Sequence, residues 1–432
     1  MEPLHKNIFV FGADAFNLQQ MQALDTEHLY RFHELFSHQE VKAAPEFPVQ
    51  QLLNGATERL KHFPHSINAI VGYWDFPVST MLPLLRKPFH LPSASFEAVL
   101  KCEHKYWSRL EQSKVIPDYL PNYCGVNPFD DNYSQQITVD FPFWIKPVKS
   151  VSSYLGFKVS NHKQLKHAIQ QIREGIFRFA KPFNYLLQFA ELPNDIAAID
   201  GNHCIVEELI SIGRQCTLEG YVYNGQVTVY GVVDSIRDAQ HRSTFLRYQY
   251  PSSIPQSVQQ RMIAVATRFL KHIQYDNAPF NIEFYWQRSN NSISLLEINS
   301  RISKSHCPLF QAVDGASNHK VMLEVALGQQ PDFPQRRGKY RIAAKFMWRI
   351  YEDAIVTRVP TADELDDICR QFPDVTIQLA AEAGIQLSSL PDQDSYSYEI
   401  AVIFVGGNSQ AELLQKYHDL QNAIAIEFEP VG

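Results

Sequence analysis

Two short stretches of this 432-residue chain place acids, amides and one arginine at a spacing suited to metal and phosphate chemistry. One is Asn281-Ile282-Glu283-Phe284; the other is Leu296-Glu297-Ile298-Asn299-Ser300-Arg301. Each reads as a strand, with Asn290-Asn291 as the turn between them. Side chains alternate faces along a strand, so Glu283 and Glu297 fall on one sheet face together with Asn281 and Asn299. An acid set among apolar neighbours is costly to bury unless it is paired or metal-bound. Glu283, Glu297 and Asn299 supply oxygen donors of the kind Mg²⁺ takes, to be completed by phosphate and water. Arg301 follows on the same face, where a guanidinium can hold a transferring phosphoryl group or a developing oxyanion. Read alone, such a hairpin is commonly just an exposed face carrying acids. Two lysines elsewhere in the chain shift that balance.

The elements that must position these groups follow from the apolar pattern. Residues 7–11 and 68–72 read as buried strands, and 49–61 and 77–85 as helices, which together predict a small parallel sheet. Asp75, just past the second strand, is either a group facing a ligand crevice or a helix N-terminal acid. A helix from Ser93 carries Phe96, Val99, Leu100, Trp107 and Leu110 on one side, with Lys101 and Lys105 one turn apart off that face. The polar stretch 119–140 reads as a linker. Strands are expected at 143–147, 184–189, 203–212, 217–223, 227–234, 280–287 and 293–298. Asn224-Gly225 joins two of them as a hairpin. A helix runs from 165 to 177 and another begins at Pro255, with Val258, Met262, Val265, Phe269 and Ile273 on its core face. After Gly328 come strands at 342–350, 397–404 and 423–428 and a helix at 409–420. Tyr396 and Tyr398 read as packing residues.

With these residues in view, the chain resembles the ATP-grasp superfamily. Glu297-Ile298-Asn299-Ser300-Arg301 is similar to that family's Glu-x-Asn-x-Arg motif, and Glu283 matches its partner acid on the preceding strand. The resemblance implies an ATP-grasp fold of α/β and α+β character. It further implies an N-terminal Rossmann-like α/β domain at 1–118, a two-lobed ATP-grasp domain at 119–330 with ATP between the lobes, and a small C-terminal α+β domain at 331–432. It assigns Lys105 and Lys146 to the phosphates of ATP and Glu207, Glu208, Leu209 and Ile210 to the adenine edge. Glu283, Glu297 and Asn299 go to Mg²⁺, with Mn²⁺ as the alternative ion, and Arg301 to catalysis. The family's phosphate loop is glycine-rich, so that backbone N–H groups can approach phosphate. Here it is Ser150-Val151-Ser152-Ser153-Tyr154-Leu155-Gly156, and the hydroxyls of Ser152 and Ser153 are the expected substitutes. Gln215, with Glu219 further on, falls where the family often has an acid for ribose.

The branch resembled contains carboxylate–amine ligases and biotin-carboxylase-like proteins. The expected activity is therefore an ATP- and Mg²⁺-dependent ligase, joining a small carboxylic acid to an amine or thiol through an acyl phosphate. The alternatives are a bicarbonate-activating carboxylase, for which no Met-Lys-Met biotinyl motif occurs, and a nucleotide-binding regulator without turnover. Lys304, Ser305 and His306 either face the acceptor or merely begin a helix.

Composition narrows the field further. A formal charge of -7 argues against a nucleic-acid partner. No apolar run approaches the ~20 residues needed to cross a bilayer, so no membrane partner is expected. The start Met-Glu-Pro-Leu-His-Lys lacks a secretory pattern. Cys102, Cys124, Cys204, Cys216, Cys307 and Cys369 include no C-x-x-C pair and read as reduced thiols. His62 and His65 have no clustered cysteines to suggest zinc. The expectation is a cytoplasmic protein, with a homodimer as an option.

Overall fold

The computed structural model describes residues 5–431 apart from 43–45, 152–153, 242–243, 391–392 and 394–395. Strands β1 (Lys6–Ala13), β2 (Tyr30–Ser37) and β3 (Ala69–Val71) form a parallel sheet in the order β2-β1-β3. The apolar run in β1 is buried on both faces, as parallel strands usually are. Phe9 and Phe11 pack with Leu52, Ala56 and Leu60 of the Val49–Lys61 helix; Ile8 and Val10 pack with Met322 and Leu323 of the His319–Ala326 helix. The Val49–Lys61 and β3 elements were legible from spacing, whereas β2 lies in a stretch without clear periodicity.

One helix expected from Ser93 onward is two. Phe96–Glu103 and Lys105–Val115 are separated by His104, whose ψ of 97° breaks the helical path. The buried imidazole fixes this break. Its Nδ1 accepts from Trp107 N at 3.1 Å and its Nε2 bonds Ile199 O at 2.8 Å. Burial pushes its pKa down to about 4, so the ring is neutral and the Nε2–H donates. Lys105 thus opens a new helix instead of sitting one turn beyond Lys101.

The stretch 119–140, expected as a linker, contains β4 (Tyr123–Val126). With β5 (Phe143–Pro147), β6 (Phe157–Val159) and β7 (Cys204–Glu208) it makes an antiparallel sheet in the order β4-β7-β5-β6. No strand forms at 184–189. Those residues end the Phe177–Leu187 helix, whose Phe179, Phe183, Leu186 and Leu187 are buried at helical spacing. A short apolar run such as Tyr185-Leu186-Leu187 suits either period, and the tertiary packing decides.

An eight-stranded sheet follows. Strands β8 (Arg214–Tyr223), β9 (Gln226–Arg237), β10 (Phe245–Tyr250), β11 (Ala278–Gln287), β12 (Ser292–Asn299) and β13 (Ile342–Ile350) lead to β14 (Ala354–Arg358), β15 (Thr376–Leu379), β16 (Tyr398–Gly407) and β17 (Glu427–Pro430). The large sheet runs β12-β11-β8-β9-β10-β13-β16-β15, and β14 pairs with β17 separately. The region after residue 330 therefore contributes three strands to the same sheet that carries the acid hairpin. Beneath β11 and β12, Ile282, Phe284, Leu295 and Ile298 pack on Val258, Met262, Val265 and Phe269 of the Gln256–His272 helix. That burial forces the alternate residues, including Glu283 and Glu297, onto the other face.

Candidate active site

The acid hairpin is in register. Asn281 lies opposite Asn299, and Glu283 opposite Glu297. Directly opposed residues on one face have close Cβ atoms, so two like charges meet there. Burial and the facing Glu297 carboxylate push Glu283 up to about 7. Glu297 differs because cations face it: burial raises its pKa, but Lys105 and Lys146 outweigh that and hold it below the ordinary range. Lys105 Nζ lies 3.1 Å from Glu297 Oε1 and donates to Ser150 O at 2.7 Å. Asn299 donates its amide to Asn281 Oδ1 at 2.9 Å, turning its own carbonyl away from that bond.

Glu283 carries a stability cost that can be measured. The folded state keeps a proton on this group that the unfolded chain releases near 4.5. Its contribution is thus full below the unfolded value and is lost as pH rises through about 7. Glu283→Gln is expected to melt a few degrees above the parent at about pH 8 without divalent cations, the gap closing below about pH 5. Paired melting curves check this, and an unchanged difference at both pH values would contradict it.

Lys146, on β5, meets Glu207 Oε2 at 2.7 Å. Glu207 is also held by Arg109 Nε at 2.6 Å. Burial raises the Glu207 pKa, but Arg109 and Lys146 together bring it down to about 2. Arg109 was not anticipated from sequence. Its buried guanidinium also donates to Gln112 Oε1, to Leu295 O at 3.1 Å and to Leu296 O at 2.8 Å. The ladder shifts register just there, since Phe284 pairs with Leu295 and leaves Leu296 unmatched. Arg109 thus satisfies the carbonyls of a β-bulge next to Glu297 and ties it to the smaller sheet. An arginine on an amphipathic helix carries no sequence signal for such a role.

The residues expected at the adenine edge divide. Glu207 turns inward as described, while Glu208 is exposed and accepts from Asn122 N at 3.0 Å and Asn122 Nδ2 at 2.7 Å. Glu208 therefore fastens β7 to the chain entering β4 instead of facing Lys146. Leu209 and Ile210 lie in the connection from β7 to β8, which joins the two sheets. Gln215 is not placed as a free ribose acceptor. Its Oε1 accepts from Arg237 Nε at 2.6 Å and its Nε2 donates to Glu283 Oε2 at 2.6 Å. Both ends of the amide are thereby used in fixing Glu283. Ser152 and Ser153 lie outside the described residues. The base of their loop is firmly held: Lys149 Nζ meets Glu103 Oε2 at 2.7 Å, and Glu103 also accepts from Thr80 and from Ser300 Oγ, the latter at 2.7 Å. Glu103 therefore joins Lys149 to Ser300, the residue between Asn299 and Arg301.

Arg301 reaches across to the N-terminal sheet. Its Nε donates to Asp75 Oδ1 at 2.9 Å and its second terminal nitrogen to Asp75 Oδ2 at 2.6 Å. Asp75 thus pairs with Arg301, and the helix that follows has no side-chain cap from it. The turn after Arg301 is held from below by fully buried Glu219. Its Oε1 pairs with His306 Nδ1 at 2.8 Å and its Oε2 accepts from Tyr230 OH at 3.2 Å. Glu219 and His306 are consequently internal supports of the turn. Lys304 and Ser305 lie on its partly exposed side.

Residues 139–307, which span β5 through the acid hairpin and its following turn, match the ATP-grasp domain family. No curated protein matches the chain. Among solved structures, the L-amino acid ligase from Bacillus licheniformis is similar at 13% identity and a TM-score of 0.72, covering 98% of this chain and 99% of that one. The phosphoribosylglycinamide synthetase from Anaerococcus prevotii is similar at 14% identity and a TM-score of 0.63, covering 98% and 100%. The biotin carboxylase domain of the Hydrogenobacter thermophilus 2-oxoglutarate carboxylase, a dimer in complex with MgADP, ADP and bicarbonate, gives 14% identity and a TM-score of 0.65, covering 98% and 91%. At such identities the likeness is one of fold. The family match is confined to residues 139–307, and the solved structures extend the likeness of fold over nearly the whole chain. Among the described residues no helix is long and apolar enough to cross a membrane.

Proposed function

We propose that the chain is an ATP- and Mg²⁺-dependent ligase that activates a small carboxylic acid as an acyl phosphate and passes it to an amine or thiol. The observation that carries this reading is the convergence of Lys105, Lys146, Glu283, Glu297, Asn299 and Arg301 on one crevice face. The donor set suits Mg²⁺. Burial first and the opposed Glu297 carboxylate second raise the pKa of Glu283, and a divalent cation would favour its charged form against both. Among the described residues no group of three His, Cys, Asp or Glu converges to hold a metal by itself. Such a donor-poor site fits an ion that brings its own phosphate and water ligands. When bound, Mg²⁺ would supply charge neutralisation of the phosphates at Glu283, Glu297 and the Asn299 carbonyl.

The remaining steps belong to the chain's own residues. Lys105 exchanges its carboxylate partner for a phosphate oxygen as the nucleotide enters, and Lys146 meets a second phosphate oxygen while keeping its contact with Glu207. Glu207 orients Lys146, and Arg109 fixes the spacing between Glu207 and the hairpin. A substrate carboxylate oxygen attacks the γ-phosphorus, the β–γ bridging bond breaks, and ADP leaves with that electron pair. The acceptor nitrogen or sulfur then attacks the acyl carbon and gives up a proton. Phosphate departs carrying one former carboxylate oxygen. Arg301 stabilises the oxyanion of the tetrahedral intermediate, and its fork is already oriented by Asp75.

Thermal melting with Mg·ATP tests the nucleotide site first. A ligand at 100 times its Kd stabilises the native state by about 2.7 kcal/mol, which shifts the transition upward by degrees. A melting point unmoved by millimolar Mg·ATP would remove the basis of the reading. Phosphate release across a panel of carboxylic acids and amines then identifies the substrates.

A further inference from the structure

A second cationic centre lies beside Arg301 and is not used by the nucleotide chemistry. Lys304 Nζ sits 3.8 Å from the centroid of the Trp74 ring. The indole is itself stacked on His38, with ring centroids 3.5 Å apart and planes inclined by 9°. Gly12, at the end of β1 with φ of +78°, makes room for it, since a Cβ there would lie 3.1 Å from Trp74 Cδ1. Trp74 is thus wedged in place and holds the Lys304 ammonium by cation–π attraction. Lys345 reaches the same turn from β13, donating to Ser305 Oγ at 3.2 Å.

The charges here do not cancel. Asp75 is taken by the Arg301 fork. Asp14 accepts from Asn17 N and Nδ2 and acts on Lys304 only from beyond ion-pair distance. Glu399 pairs with Arg349 at 3.2 Å. Among the described residues, neither Lys304 nor Lys345 has a carboxylate within 4.0 Å. The buried Trp74 Nε1–H also finds no acceptor among them. Burial and the nearby Lys345 press Lys304 down to about 8, against the opposing pull of Asp14. Two ammonium groups held at the turn that follows Arg301, neither within ion-pair distance of a carboxylate among the described residues, fit an anion that arrives with the substrate.

We propose that Lys304 and Lys345 form a subsite for a second anionic group on the acid substrate, which is therefore a dicarboxylic acid or a phosphorylated carboxylic acid. The inference rests on the ligase reading for the group that is activated, but the subsite itself can be tested without turnover. One carboxylate lies toward Arg301 and the γ-phosphate, while the second acidic group is held by the two lysines. Paired cations in a partly buried site bind an anion through charge-assisted hydrogen bonds, stronger than those between neutral groups.

Calorimetric titration of the full chain with butyrate, glutarate and 3-phosphonopropionate, each with and without Mg·ADP, provides the test. The dianions should bind about tenfold or more tightly than butyrate, a difference of about 1.4 kcal/mol. The better of glutarate and the phosphonate distinguishes a second carboxylate from a phosphate. Lys304→Ala and Lys345→Ala should each remove most of that preference while leaving butyrate binding and the Mg·ATP melting shift as in the parent. Dianions binding no better than butyrate would overturn the proposal, as would variants that weaken all three ligands equally. A failure of nucleotide binding alone, with the dianion preference intact, would instead count against the ligase reading and leave this subsite standing.

Discussion

Glu297→Gln is expected to lower Mg·ATP-dependent turnover by about 10²–10³-fold and to raise the Mg²⁺ concentration needed for half-maximal rate. Glu297 faces both the proposed metal position and Lys105, 3.1 Å away. Its carboxylate is held ionised despite burial because Lys105 and Lys146 lie close. The amide keeps the shape and loses the charge, so the ion loses a carboxylate, and Glu283 keeps the burial that mainly raises its pKa but loses the added repulsion of Glu297. The expected signature is a paired change: a slower reaction and a steeper Mg²⁺ requirement in the same variant. Titration of the rate with Mg²⁺ at saturating ATP reads both. A Glu297→Gln variant with the parent's Mg²⁺ dependence would place the metal elsewhere.

Arg301→Ala should fail in a different way. Its guanidinium is engaged with Asp75. Removing it should cut the rate by about 10²–10³-fold, the usual consequence of deleting an oxyanion donor, while the Mg·ATP melting shift stays close to that of the parent. Asp75 is left without its partner, but its side chain is 37% exposed and can hydrate, so the fold should survive. Arg301→Lys restores charge without the bidentate fork and should recover only part of the rate. Loss of the melting shift in Arg301→Ala would mean that the arginine binds nucleotide instead of stabilising the intermediate.

The legibility of this site from sequence follows its physics. The acid hairpin could be read because period-two alternation leaves no choice of face once Ile282, Phe284 and Ile298 are buried. The Val49–Lys61 helix could be read because Leu52, Ala56 and Leu60 repeat at helical spacing. What escaped depends on partners distant in the chain. The helix break at His104 is fixed by Ile199 O, and Arg109 acts on Glu207 and the Leu295–Leu296 carbonyls. Gln215 looked like a ribose acceptor by position, yet Arg237, on the neighbouring strand, claims its carbonyl. Glu208 shares a dipeptide with Glu207, but strand alternation sends the two to opposite faces, so only one can enter the crevice. The strands after residue 330 read as a separate small unit because sheet membership is a property of pairing, which local sequence does not encode.

Phosphorylation of an organic carboxylate is tested most directly by oxygen transfer. The acid that supports phosphate release is labelled with ¹⁸O in its carboxylate and turned over with Mg·ATP and an acceptor. The released phosphate is then weighed by mass spectrometry. One labelled oxygen per phosphate formed is the expected result, because the attacking carboxylate oxygen leaves with phosphorus. Label retained entirely in the organic product, or label entering phosphate only from bicarbonate, would contradict a carboxylate–amine ligase.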